Sequence, residues 1–146
     1  MKNVLKLAIV ALLVIGCKQK VVPADIAKLN GYWEIEKVDV ADGEDKNYKV
    51  NENFDYFEIK NNQGFRKKVK PQLDGTFIVN DTYENVKVRF EKEAVFLDYS
   101  TDFAKWSEEL VKLTDEELVV KNEENKKYHY KKTGAINITE NGETTK

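Results

Sequence analysis

From residue 31 to about residue 131 the chain alternates apolar and polar positions with a period of two, and two segments of different pattern precede that stretch. Leu7 to Ile15 is an unbroken apolar run. Pro23 to Leu29 sets Ile26 and Leu29 behind a proline, the pattern of one helical turn ending at Asn30-Gly31. Trp33 and Ile35 then alternate with Glu34 and Glu36, and the apolar parity moves to Val38 and Val40. That shift predicts a bulge in one long first strand. Ala41 to Asn53 is polar and reads as a loop, and Tyr56 to Lys60 reads as a strand. Asn61-Asn62-Gln63-Gly64 reads as a turn and Phe65 to Lys70 as the return strand, which Pro71 stops.

The second half repeats the theme. Asp74-Gly75 turns into Thr76 to Asn80, and Asn85 to Glu91 puts Val86, Val88 and Phe90 on one face. Lys92-Glu93 turns into Ala94 to Tyr99. Glu109 to Leu113 and Leu118 to Lys121 form a hairpin about Thr114-Asp115-Glu116, and Glu123 to Lys126 turns into Lys127 to Lys131. Phe103, Trp106, Leu110 and Leu113 fall at helical spacing behind Asp102, which predicts a single helical turn near 102–106 before the strand. Nine short strands at roughly 8–12 residue spacing, without a strong amphipathic helix, predict an all-β closed antiparallel barrel or sandwich. Thr133 to Lys146 is polar and sparse in large apolar residues, and a disordered tail is expected there.

The composition, 41% hydrophobic and 34% charged, belongs to a folded globular chain. At the N-terminus, Lys2 and Lys6 precede the apolar run, and Gly16-Cys17 follows it. Basic, apolar and small-residue regions in that order form an export signal over residues 1–16. Thirteen residues from Val4 to Gly16, interrupted by Lys6, fall short of the roughly 20 that a spanning helix needs. Leu13-Val14-Ile15-Gly16-Cys17 resembles the bacterial lipobox. The resemblance implies acylation of the Cys17 thiol, cleavage before it and acylation of the new amine. A tether over residues 17–22 would then join the lipid to a domain over residues 23–132. Lys18 lacks the acidic character that retains many such lipoproteins in the inner membrane, so the expected address is the outer membrane, facing the periplasm. Without Lys2 and Lys6 the charge is 22 basic against 26 acidic groups, a net −4, and no basic footprint for nucleic acid exists. A single Cys excludes an internal disulfide framework and a multi-Cys zinc site.

Leu29-Asn30-Gly31-Tyr32-Trp33-Glu34-Ile35 resembles the opening of the lipocalin and lipocalin-like families, a helical turn followed by Gly-x-Trp at the start of the first strand. Val111 to Val120 and Tyr128-His129-Tyr130 are similar to the last hairpins of lipocalin-like lipoproteins of Bacteroidetes-type bacteria. The match spans about residues 23–132. It implies an antiparallel up-and-down β-barrel of about 8–9 strands behind a short N-terminal helical turn. Gly31 and Trp33 would be structural, with Trp33 plugging the closed end. It also implies binding of a small apolar or amphiphilic molecule.

Candidate chemistry is sparse. His129 is the only histidine, and alternation turns it outward between Tyr128 and Tyr130. Ser100 and Ser107 lie in no nucleophile-elbow pattern, Asp42-Gly43-Glu44-Asp45 lacks the spaced ligands of a calcium loop, and no phosphate or dinucleotide loop is present. The chain is therefore expected to be no enzyme and to need no cofactor or metal. In Arg66-Lys67-Lys68-Val69-Lys70, alternation from Phe65 turns Phe65, Lys67 and Val69 inward and leaves Arg66, Lys68 and Lys70 to solvent. The expected ligand site is a lumen walled by Phe57, Ile59, Phe77, Val79, Val88 and Phe90, with Tyr128 and Tyr130 adding hydroxyls and Lys67 favouring an acidic headgroup. The expected partners are the membrane, through lipid on Cys17, and one small ligand held by a monomer. The alternative is a side-chain-filled barrel acting on an envelope protein as an interaction or inhibitor module.

Overall fold

The computed structural model describes residues 20–134. The expected export signal, Cys17, the first half of the expected 17–22 tether and all but the start of the tail lie outside the described residues. A 3₁₀ helix, Pro23–Leu29, is followed by ten strands: β1 Gly31–Asp39, β2 Lys46–Asn47, β3 Phe54–Lys60, β4 Gln63–Pro71 and β5 Phe77–Val79, then β6 Glu84–Phe90, β7 Val95–Ser100, β8 Lys105–Leu113, β9 Glu117–Lys121 and β10 Lys127–Thr133. Eight of them close an antiparallel barrel in the order β1-β3-β4-β6-β7-β8-β9-β10, with β10 returning to β1. The two short strands are additions: β2 pairs with β1, and β5 pairs with the far end of β4. Closure leaves the wall without a free edge.

Each turn follows from its own sequence. Asn61 and Asn62 both take positive φ, 52° and 62°, in the two-residue turn between β3 and β4, a geometry asparagine tolerates. The bulge predicted in β1 sits where pairing with β10 shifts between Ile35 and Lys37, and a second bulge shifts β8 against β9 between Leu110 and Lys112. The predicted helical turn at 102–106 does not form. Thr101 Oγ1 accepts from the amides of Phe103 and Ala104, and the Thr101 amide donates to the Ala104 carbonyl at 2.9 Å. That closes a hairpin turn, leaves Phe103 98% exposed, and starts β8 four residues earlier than the pattern predicts. Apolar spacing misled here because Phe103 packs on nothing.

One end of the barrel is sealed. The 3₁₀ helix opens with Pro23, and the Val22 amide donates to Asp25 Oδ2 at 3.0 Å. It lays Ile26 and Leu29 into the core cluster that also holds Trp33, Ile59, Val88, Val95, Leu110, Leu113 and Leu118. The Trp33 indole N–H donates to the Leu29 carbonyl at 2.7 Å, and Lys132 Nζ lies 4.4 Å above the Trp33 ring. The same ammonium donates to the Lys28 carbonyl at 2.8 Å and to the Asn30 carbonyl, so the last strand closes over the helix's C-terminal end. Burial lowers the Lys132 pKa. Asn30 extends the ladder by exchanging side-chain hydrogen bonds with the Ile59 main chain, at 3.1 and 2.6 Å.

Gly64 is required by close approach. A Cβ there would lie 1.8 Å from the Glu58 carbonyl oxygen and 2.9 Å from the Ile59 Cα, both main-chain atoms. Gly64→Ala should therefore lower stability by about 2 kcal/mol through forced separation of β3 and β4, read as a reduced urea midpoint. An unchanged midpoint would refute it.

Candidate functional site

A charged cluster lies inside the barrel close to Trp33, whose cross-strand partner is Asp55. Strand pairing sets its faces: Phe57 opposes Arg66, Asp55 opposes Lys68, Arg66 opposes Glu84, Leu97 opposes Glu108, and Tyr99 opposes Trp106. Since Phe57, Leu97 and Tyr99 belong to the buried core, their cross-strand partners point inward with them. Arg66 Nε donates to Glu84 Oε2, and its Nη1 lies 3.8 Å from Glu108 Oε2. The guanidinium covers the Tyr99 ring at 4.3 Å and lies 5.9 Å from the Phe57 ring. Asp55, only 3% exposed, sits 2.6 Å from Lys68 Nζ, while the Lys68 side chain is 58% exposed at the rim. Tyr99 is 2% exposed and stacks on Trp106 at 5.3 Å with the planes 13° apart.

Burial raises the Glu108 pKa against the opposing effect of Arg66, and it raises that of Tyr99 well above the usual phenol value. Tyr99 is therefore a neutral phenol at physiological pH. Its hydroxyl and the Glu108 carboxylate are both buried, and the phenol donates to the carboxylate. Buried polar atoms are nearly always paired, and here the pairing is internal to the barrel, Glu108 meeting both Tyr99 and Arg66.

Several expected site residues do reach the lumen. Phe57, Ile59, Val88 and Tyr130 are buried in the core cluster, and Tyr128 packs partly buried against it. The Tyr128 hydroxyl accepts from Asn122 Nδ2 at 3.3 Å. Phe77, Val79, Phe90 and Lys67 do not line it as expected. Phe77 stacks on Tyr32 at 4.1 Å on the outer face, because β5 pairs only with β4 and joins no other wall strand. Val79 is half exposed on the same strand. Phe90 keeps the parity of Val86 and Val88 but ends β6 at the rim, where it is exposed.

Lys67 points outward, 5.3 Å from the Phe65 ring and 5.8 Å from the Tyr83 ring. The inward cation is its neighbour Arg66. Parity taken from Phe65 and Val69 fails because both are apolar outward residues: Phe65 joins Tyr56 and Tyr83 in an outer aromatic patch, and Val69 opposes the buried Phe54. A usable signal did exist. With a two-residue turn at Asn61-Asn62, Lys60 opposes Gln63, and counting back places Arg66 against the buried Phe57. Asp55, Glu84 and Glu108 were missed for a related reason, since carboxylates in an alternating pattern read as solvent-facing. His129 faces outward as expected, with Nε2 2.8 Å from Asp39 Oδ2.

Two concavities of about 510 and 390 Å³ share Lys87, Asp98 and Ser100, the first also bordered by Tyr99 and Trp106 and the second by Gln63 and Gly64. Their main carboxylate is already satisfied. Asp98 accepts from Arg89 Nε at 2.8 Å and Nη2 at 3.0 Å and from the Ser107 hydroxyl at 2.6 Å, and Arg89 holds its pKa below the usual range. Among the described residues no three His, Cys, Asp or Glu are grouped as a metal site requires.

A family model described as a lipocalin-like domain matches residues 29–120. No curated protein matches the chain. Among solved structures, a lipocalin-like protein from Bacteroides uniformis ATCC 8492 is similar at 16% identity and a TM-score of 0.48, over 73% of this chain and 99% of that one. An uncharacterized protein from Bacteroides eggerthii DSM 20697 is similar at 14% identity and a TM-score of 0.48, over 72% and 99%.

Proposed function

The chain belongs to the lipocalin-like domain family, and from that premise we propose that it is an exported, lipid-anchored protein whose barrel binds a small amphiphilic molecule. The supporting observation is the make-up of the interior. A packed apolar floor around Trp33 and Leu29 adjoins a buried polar cluster in which Arg66 meets Glu84, Glu108 and the Tyr99 ring. Pockets of this kind take affinity from apolar contact and orientation from a few polar groups. Binding rather than catalysis is the role proposed, since lipocalin-like folds generally serve binding proteins. The acidic headgroup expected from Lys67 is withdrawn, because that ammonium lies outside the barrel.

The test uses the full chain carrying Cys17→Ala, so that no acyl chain competes for the lumen. Titration with the neutral apolar probe N-phenyl-1-naphthylamine should show one saturable site and a change in tryptophan emission. A strictly linear, unsaturable response would overturn the reading. One observation favours the alternative of a protein-interaction module: Tyr32, Tyr56, Phe65, Phe77 and Tyr83 form a continuous aromatic patch on the outer face, beside the exposed Ile78.

The anchor rests on Leu13 to Cys17 and on the apolar run before it. Two or three acyl chains hold a protein durably at a membrane where one does so only marginally. We place it at the outer membrane of a bacterial envelope, facing the periplasm. Cys17→Ala should release the protein from the membrane fraction or leave uncleaved precursor, with loss of the acyl mass. Unchanged fractionation and mass would rule the anchor out.

A further inference from the structure

The sealed end of the barrel is also the end from which the chain leads back to Cys17. Strand alternation puts the turns at Asn61-Asn62, Lys92-Glu93 and Asp115-Glu116 at that end, with the start of β1 and the finish of β10, and the connections 40–53, 72–83, 101–104 and 122–126 at the other. Hydrogen bonds gather the first group around the 3₁₀ helix. The Asn30 side chain meets the Ile59 main chain, the Val88 amide donates to the Asn62 carbonyl at 2.8 Å, and the Lys132 amide donates to the Glu116 carbonyl at 2.7 Å. The start of the described chain is held there too: Lys20 Nζ donates to the Lys92 carbonyl at 2.8 Å, and Val21, 7% exposed, joins Ile26 and Leu29 in the core cluster. Cys17 lies four residues before Val21, and four residues fully extended cover no more than about 14 Å.

We infer that the short tether from Cys17 holds the sealed end of the barrel against the lipid headgroups, so that the three turns around the 3₁₀ helix form the membrane-facing surface and the opposite end points into the periplasm. The inference rests on the reading of Cys17 as a lipid anchor and adds which surface that anchor brings to the bilayer. An inverted barrel is out of reach. β1 is nine residues long, which at about 3.3 Å per residue and about 40° of tilt sets the two ends roughly 20 Å apart, more than the tether covers. A barrel lying down on the side nearest Lys92 is opposed by charge: residues 84–124, which carry β6 to β9, hold twelve acidic and six basic groups, a net negative wall against anionic lipid. The sealed end itself is balanced, with exposed Lys20, Lys60 and Lys92 set against exposed Glu93, Asp115 and Glu116. Apolar exposure alone points the other way, since Val50, Leu73 and Phe103, 87%, 76% and 98% exposed, all lie in connections at the opposite end. The tether keeps them out of the anchoring bilayer and presents them to the aqueous envelope.

The experiment places the full acylated chain in vesicles of phosphatidylethanolamine with a minority of phosphatidylglycerol. Glu93→Cys at the sealed end and Asp102→Cys beside Phe103, both exposed turn positions, are labelled one at a time with bimane, since the thiol of Cys17, the only native cysteine, is consumed by its acyl group. Lipids bearing a headgroup nitroxide should quench the Glu93 label at least about threefold more strongly than the Asp102 label, given ends roughly 20 Å apart. Inserting a flexible glycine-serine segment of about 15 residues after Lys18 adds roughly 20 Å of reach and should bring the two labels within about twofold of each other. Equal or stronger quenching at Asp102, in a native-tether chain that floats with the vesicles and carries its acyl mass, overturns the orientation and leaves the anchor standing. A preference for Glu93 that survives the longer tether overturns the tether as its cause. A chain that neither floats with the vesicles nor carries acyl mass overturns the anchor and the orientation together.

Discussion

Replacing Trp33 with alanine should lower stability by about 3–5 kcal/mol, enough to leave a domain of this size largely unfolded in mild urea. Three losses combine. The indole is fully buried among residues of the helix and several strands, so its removal leaves a cavity that a closed barrel cannot collapse around. Its N–H no longer pairs the buried Leu29 carbonyl, and Lys132 Nζ loses the aromatic face beneath it. Trp33→Phe separates the contributions, since it keeps most of the packing and removes the donor, and a loss nearer 1–2 kcal/mol is expected. Urea midpoints for the two variants decide the matter. A loss below about 1 kcal/mol for the alanine variant would show that the sealed end does not depend on the tryptophan.

Arg66→Met should be nearly as damaging, by about 3–5 kcal/mol at neutral pH, because it strands Glu84 and Glu108 inside the barrel without their cation. The variant should also show a pH signature that an ordinary packing defect lacks. Burial raises the Glu108 pKa in the folded protein, and Arg66 opposes that rise. A carboxyl whose folded pKa lies above its unfolded value, about 4.3, contributes stability below that value and loses it as pH rises through the folded pKa. With Arg66 gone the rise is larger, so the deficit relative to the native chain should shrink on acidification from neutral pH toward about pH 4–5. Adding Glu108→Gln should recover part of the loss at neutral pH and flatten the dependence. A deficit that does not change with pH would show that Glu108 does not feel the arginine.

The outline of the barrel was legible because one face of most strands is plainly apolar. Val86 and Val88, Leu118 and Val120, and Trp33 and Ile35 point where alternation puts them, and the bulge in β1 showed as a change of parity. The pattern failed where both faces of a strand are covered. In β4 the outward Phe65 and Val69 sit beside an aromatic patch and a buried phenylalanine, so the apolar residues marked the wrong side and Lys67 was taken for Arg66. It failed again at Phe103, which is apolar and projects from a turn held by Thr101.

What the sequence determines by itself is local: the helical turn behind Pro23, the two-asparagine turn before β4 and the order of the strands along the chain. Each depends on dihedral preference, short-range hydrogen bonding or a contiguous motif. The tertiary structure alone decides which charges become interior. Asp55, Arg66, Glu84 and Glu108 lie on four strands, β3, β4, β6 and β8, separated by up to 53 residues. Only closure of the sheet into a barrel brings them to one volume and removes the water that would otherwise pair them. In an open strand each would be an ordinary solvated side chain, and burial turns the same residues into a mutually paired interior cluster.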